Sequence, residues 1–105
     1  MKNTSFVKSL YIVIHDSVID LLITSKECTS HIRDKYCYIQ KAINLIFHFQ
    51  ETLAFNNQDY SKHLSSTYME IFLELNKFLV KEDDVKIDNL INKVILLKKF
   101  WQEVL

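Results

Sequence analysis

The chain contains neither glycine nor proline in any of its 105 residues. Glycine lets a backbone reach positive φ and lets a ligand approach it closely, so parallel α/β folds and phosphate-binding loops rely on it. Long helices joined by short polar turns need neither residue. The sequence therefore indicates an all-α protein and excludes every glycine-rich nucleotide-binding motif.

The strongest helical pattern runs from Val85 to Leu105. Asp83 and Asp84 precede it, where the free backbone N–H groups and the helix dipole favour negative charge. A helix with so much apolar surface is not stable alone in water, so we expect other helices to cover it. Its apolar residues recur every three or four positions and so share one helical face: Ile87, Leu90, Ile91, Val94, Leu97, Trp101 and Leu105.

Three further amphipathic segments come before it. We predict helix 1 from about Thr4 to Cys28, helix 2 from about Lys35 to Phe55, and helix 3 from just after Asp59 to about Val80. The predicted core face of helix 1 consists of Val7, Leu10, Ile14, Val18, Leu21, Ser25 and Cys28, with Tyr11 and Leu22 beside it. Those of helix 2 are Ile39, Ala42, Ile43, Ile46, Phe49 and Leu53, and those of helix 3 are Leu64, Tyr68, Ile71, Leu75, Phe78 and Leu79.

The predicted turns are short and polar, at Thr29–Asp34, Asn56–Asp59 and Lys81–Asp84. Asparagine tolerates the left-handed conformation that glycine would otherwise supply. Short turns between long helices make consecutive helices antiparallel neighbours. We therefore predict a single domain, residues 1–105, folded as an antiparallel up-down-up-down four-helix bundle.

The charge balance argues against nucleic acid and anionic membranes as partners. Thirteen basic residues match thirteen acidic ones, so no net field attracts either surface. The longest apolar run, Leu10 to Ile14, is too short to span a bilayer. We expect a cytoplasmic protein without membrane insertion.

Two sets of residues suggest a metal site, and both are weak. Cys28, His31 and Cys37 supply three ligands without an evident fourth and without the usual close spacing, so a reduced cysteine pair is preferred. A di-iron bundle needs Glu-x-x-His pairs, and the nearest approach is His48 with Glu51 on the polar side of helix 2. We expect neither a metal nor another cofactor.

The pair His15-Asp16 is typical of a general base beside its orienting carboxylate. Adjacent residues on a helix do not face each other, however. Neither cysteine has an activating partner in the sequence, and no serine motif is present. We therefore expect no enzyme activity.

A second set of apolar residues lies outside the predicted core faces, spaced by fours and sevens. Aligned apolar residues of this kind mark interaction surfaces, and apolar grooves between helices can bind a partner helix. A wider core, or a homodimer through the same surface, are the alternatives. The set comprises Ile12, Ile19 and Ile23 in helix 1, Met69, Leu73 and Val80 in helix 3, and Leu96 and Phe100 in helix 4.

Several short motifs occur in order along the chain. His15-Asp16-Ser17 lies between two apolar segments, Ile39 to Ile46 reads Ile-Gln-Lys-Ala-Ile-Asn-Leu-Ile, and Leu64 to Tyr68 reads Leu-Ser-Ser-Thr-Tyr. With the last helix through Trp101, this order resembles the flagellar secretion chaperones that bind flagellin, the FliS-like family. That family has Tyr-Asp-Gly where this chain has His15-Asp16-Ser17, and it carries glycines near Asn57 and Gln58.

The resemblance implies a cytosolic export chaperone that holds the C-terminal segment of flagellin and prevents its premature polymerisation. On this hypothesis the off-core residues provide the client contacts: Ile12, Ile19, Ile23, Met69, Leu73, Leu96 and Phe100, with Tyr38, Leu45 and Phe47 at the groove edges. Ala42, Tyr68 and Trp101 are assigned to core packing. A helical adaptor or export chaperone for another client, or a self-associating structural bundle, are the alternative functions.

Overall fold

Four helices make up almost all of the chain that the computed structural model describes, which is residues 4–28, 31–56, 58–81 and 87–105. They are α1 (Thr4–Glu27), α2 (Ile32–Asn56), α3 (Gln58–Lys81) and α4 (Ile87–Val104). These described ranges contain no strand. The prediction of an all-α protein with four helices is confirmed.

The predicted extents of the first two turns were wrong. Helix α2 begins at Ile32, within the predicted first turn, and only position 57 separates α2 from α3. Polar residues at helix ends were read as loop, but Asp34 lies in the first turn of α2, where the helix dipole favours an acidic side chain. The predicted cap at Asp83 and Asp84 lies outside the described residues.

The predicted core faces of α2, α3 and α4 are confirmed. Leu64, Leu79 and Leu105 are half-buried and pack against this core. The buried residues are Ile39, Ala42, Ile43, Ile46, Phe49 and Leu53 of α2, Tyr68, Ile71, Leu75 and Phe78 of α3, and Ile87, Leu90, Ile91, Val94, Leu97 and Trp101 of α4.

The buried face of α1 is rotated from the predicted one. Leu10, predicted to be core, is 44% exposed, and Ile14, Leu21 and Cys28 are only partly buried. The prediction failed because His15 was treated as a polar, outward residue. Val18 and Ser25 of the predicted face are buried, together with Tyr11, Leu22 and His15.

The contacts between helices pair residues in opposite chain order. Along α1 and α4, Tyr11 contacts Trp101, Asp16 binds Lys98, and Lys26 binds Asp88. Along α2 and α3, Tyr36 contacts Phe78, Phe47 contacts Phe72, and Phe49 contacts Tyr68. The resulting body measures 49 × 21 × 19 Å. None of the helices in the described ranges has the length and apolar character needed to cross a membrane.

Candidate functional site

Five buried rings, contributed by all four helices, meet around Phe49 of α2. Tyr11 and His15 come from α1, Tyr68 from α3 and Trp101 from α4. The Phe49 ring centroid lies 4.8 Å from that of Tyr11, 5.0 Å from His15 and 5.3 Å from Tyr68. The Tyr11 and His15 contacts are edge-to-face, a geometry that aromatic rings favour. We call these five residues the aromatic junction.

A chain of hydrogen bonds runs through the junction. His15 Nδ1 lies 2.7 Å from the Tyr11 carbonyl oxygen, and His15 Nε2 lies 2.7 Å from the Tyr68 hydroxyl. Trp101 Nε1 donates to the same hydroxyl oxygen at 2.9 Å. Because a carbonyl only accepts, the proton of neutral His15 is assigned to Nδ1, and Nε2 accepts from Tyr68.

Burial favours the neutral form of both titratable groups in this hydrogen-bond chain, His15 and Tyr68. Burial lowers the pKa of His15, against smaller raising effects of the Tyr11 carbonyl and Asp16. Burial also raises the pKa of the Tyr68 phenol. In the described part of the chain, every buried side-chain nitrogen and oxygen has a hydrogen-bond partner. The junction therefore fixes the helices relative to one another, and its imidazole is out of reach of a substrate.

The residues predicted to contact a client divide into two groups by exposure. Leu96 is 65% exposed and Leu73 52%, the largest exposed fractions of this set. Phe47, Met69 and Ile23 are also exposed. The others are half-buried: Ile12, Ile19, Tyr38, Leu45 and Phe100.

Two ion pairs tie α1 to α4 along one edge. Asp16 Oδ1 lies 2.7 Å from Lys98 Nζ, and Lys26 binds Asp88. All four side chains are partly exposed to solvent. Residues spaced by three or seven from these pairs lie on the same side of their helices.

Three isoleucines occupy the edge between these ion pairs. Ile19 and Ile23 lie three and seven residues after Asp16, so they face the α4 side of α1. Ile95 lies three residues before Lys98 and is exposed. This α1–α4 edge therefore contains two of the predicted residues and one, Ile95, that the sequence analysis did not include.

A second apolar surface lies over α2 and α3. The Phe47 and Phe72 ring centroids are 5.9 Å apart across these helices. Met69 precedes Phe72 by three residues, and Leu73 follows Met69 by one turn, so they extend the same surface outward. We call Phe47, Met69 and Leu73 the α2–α3 face.

A third surface lies on the α3 side of α4. Lys93 binds Glu70 of α3, and Leu96 and Phe100 lie three and seven residues further along α4. The Phe100 ring packs on that of Trp101, with centroids 5.1 Å apart. The predicted contact residues thus lie on several sides of the molecule and not in one groove.

Sequence reasoning missed other exposed apolar residues. Phe6, Leu10 and Val13 are exposed on α1. Their spacing of four and three residues predicts a shared outer face, provided that His15 is assigned to the buried face. Ile32 was assigned to a turn, but it is exposed at the start of α2. There it lines an apolar cleft together with Tyr36 and Leu79.

The residues considered for metal binding do not form a cluster. Cys28 is half-buried and Cys37 exposed, and both are free thiols. Among the described residues, no group of three or more His, Cys, Asp or Glu side chains could hold a metal ion. His48 Nδ1 lies 3.5 Å from Glu51 Oε1 as an exposed ion pair.

The fold and these surfaces define an all-helical protein with a fixed aromatic centre and apolar residues on its outside. The family model of flagellar protein FliS matches residues 4–105. The chain therefore belongs to the FliS family, which confirms the resemblance noted in the sequence, and family membership suggests a flagellar chaperone. No curated protein matches the chain. No solved structure matches it either.

Proposed function

We propose that this protein is an export chaperone that binds the C-terminal segment of flagellin in the cytoplasm, prevents its polymerisation and keeps it competent for secretion. The role is binding without catalysis. Membership of the FliS family supports the flagellar context. The observation that carries the proposal is the exposure of large apolar side chains, Leu73 and Leu96 among them, outside a buried apolar core.

The proposed scaffold is the antiparallel up-down-up-down bundle. The reversed order of contacts between α1 and α4, and between α2 and α3, supports it. Short connections also favour antiparallel neighbours. In this arrangement each helix presents one face to the core and leaves its outer side available to a client.

We infer that the client folds onto this surface as amphipathic helices. A disordered segment loses conformational entropy when it binds, at a cost of roughly 2–5 kcal/mol or more. Burial of a large apolar side chain contributes about 1.5–3 kcal/mol. A few contacts such as Leu73, Leu96 and Phe47 therefore offset the ordering of the client and still leave binding weak enough to reverse.

The proposed contact residues are those predicted from the sequence. They are Ile12, Ile19, Ile23, Met69, Leu73, Leu96 and Phe100, with Tyr38, Leu45 and Phe47 at the edges. Because they lie on several sides of the bundle, we infer that the client wraps around it along more than one helix. A client confined to a single groove would depend on only one of these surfaces.

Calorimetric titration with a synthetic peptide of the flagellin C-terminal segment tests the proposal. We expect Leu73→Glu and Leu96→Glu each to weaken binding about tenfold or more, because each loses apolar burial and places a charge in the interface. Gln102→Glu is the matched control, since it adds the same charge at an exposed polar position of α4, on the side of the helix away from Leu96 and Phe100, and should bind like the parent protein.

The results of this titration distinguish client binding from the alternatives. A peptide that does not bind, or binds all variants equally, contradicts the proposed function. Self-association is the alternative use of the same residues. Sedimentation velocity then distinguishes it, because a dimer that Leu73→Glu and Leu96→Glu dissociate would indicate a second copy as the partner.

A further inference from the structure

We propose that His15 makes the aromatic junction a proton-sensitive switch: addition of a proton at Nε2 in mildly acidic solution reverses the His15–Tyr68 hydrogen bond, leaves the Tyr68 hydroxyl proton without an acceptor, and loosens α1, α3 and α4 against one another. This response of the fold to pH does not depend on the proposed client.

The geometry of the hydrogen bonds fits one tautomer of neutral His15. His15 Nδ1 donates to the Tyr11 carbonyl, so Nε2 is the acceptor for the Tyr68 hydroxyl proton. The Tyr68 oxygen in turn accepts from Trp101. The three hydrogen bonds therefore all point the same way, from Trp101 to Tyr68, from Tyr68 to His15, and from His15 to the Tyr11 carbonyl.

Protonation of Nε2 reverses one link and leaves the others in place. His15 and Trp101 would then both direct N–H groups at the Tyr68 oxygen, and the Tyr68 proton would need a new acceptor. Phe49, the α2 residue that contacts both the His15 and Tyr68 rings, offers none. A buried donor left unpaired is costly, and a buried imidazolium is more so.

The charged groups around His15 do not compensate for its burial. On α1 the Tyr11 carbonyl and Asp16 favour the protonated form, whereas Lys98 of α4 disfavours it. Asp16 and Lys98 form an ion pair with each other at 2.7 Å. Tyr68 is the titratable group on the α3 side, and burial raises its pKa.

The sign of the pH dependence follows from these groups. Burial is the largest influence and lowers the pKa of folded His15 below the ordinary value of 6.5. At a pH between the folded pKa and 6.5, the unfolded chain therefore binds more protons than the folded one. The stabilisation from neutral His15 is complete above pH 6.5 and decreases as the pH falls below it.

Urea unfolding at pH 7.5 and pH 5.5 tests the switch, with the parent protein compared with His15→Gln. Glutamine retains an acceptor for Tyr68 but does not titrate. We expect the unfolding constant of the parent protein to rise more between the two pH values than that of His15→Gln, by at most about tenfold, because the difference stops growing once the pH reaches the lowered pKa of folded His15. His48→Gln is the matched control, because it removes an exposed histidine and should follow the parent protein.

Trp101 supplies a second readout, since it is the single tryptophan of the chain and a member of the junction. We expect the near-UV circular dichroism of Trp101 to decrease together with the appearance of the protonated His15 imidazole in NMR spectra. If His15→Gln fails to fold, this titration of the parent protein still decides the question. Two results would overturn the proposal. One is a His15 imidazole that becomes protonated without any change in the near-UV circular dichroism of Trp101. The other is an unfolding constant that depends on pH equally in the parent protein and in His15→Gln.

Discussion

The aromatic junction and the α2–α3 face use similar residues for opposite purposes. In the junction, aromatic rings from four helices are buried and the polar atoms of His15, Tyr68 and Trp101 pair with one another. On the α2–α3 face, Phe47, Met69 and Leu73 are exposed. The core is complete without the outer residues, so the difference separates residues that hold the fold from residues that remain available for binding.

The largest expected effect is from Trp101→Ala. Trp101 is fully buried, touches the rings of Tyr11, Phe49 and Phe100, and donates to Tyr68. Its truncation leaves a cavity and an unpaired acceptor, which lowers the free energy of unfolding by about 3–5 kcal/mol. Urea unfolding followed by far-UV circular dichroism measures it, because this signal does not depend on tryptophan.

Val104→Ala is the control for this prediction. Val104 also lies on α4, but it is exposed, and we expect a loss within about 0.5 kcal/mol. Equal losses for Trp101→Ala and Val104→Ala would show that the junction does not hold the fold, and the comparison between the two regions would fail.

The accuracy of the predicted buried faces differed between helices, because the residues on those faces differ in polarity. In α4 the face is purely apolar and ends at Trp101, so periodicity located it correctly. In α1 the buried face contains His15, which a hydropathy pattern counts as outward. Burial of His15 depends on Tyr68, 53 positions away, and such a pairing is not visible in local periodicity.

A smaller loss is expected from Tyr68→Phe. The change removes only the hydroxyl group, but that group pairs with both His15 Nε2 and Trp101 Nε1. Two buried polar groups then lack a partner, which lowers the free energy of unfolding by about 1–3 kcal/mol. Urea unfolding at pH 7.5 is the measurement, since His15 is neutral there.

Tyr38→Phe is the matched control. It removes the same hydroxyl from a side chain that is only partly buried, and we expect a change within about 0.5 kcal/mol. A Tyr68→Phe variant as stable as Tyr38→Phe would mean that the hydrogen-bond chain adds nothing to the packing of the rings.

The sequence predicted which residues lie off the core faces better than it predicted what packs around them. Helical spacing placed Leu73 and Leu96 off the core faces, and both are exposed. The same spacing could not show that Ile19 and Phe100 pack against the core, nor that Ile95 is exposed on α4. Periodicity assigns a residue to a face of its own helix, but the packing of a second helix decides how much of that face remains exposed.

The smallest expected effect is from Asp16→Asn, at the α1–α4 edge. Asp16 pairs with Lys98, and both side chains are partly exposed, so solvent and salt screen the attraction. We expect a loss of about 0.2–1 kcal/mol that decreases further as salt is added. Urea unfolding at low and high ionic strength measures this loss. Tyr68→Phe is the comparison, because it removes an uncharged hydroxyl group and its effect on the free energy of unfolding should not change with salt. A salt-independent loss above about 2 kcal/mol for Asp16→Asn would instead make the ion pair part of the junction, since only a pair shielded from water behaves in that way.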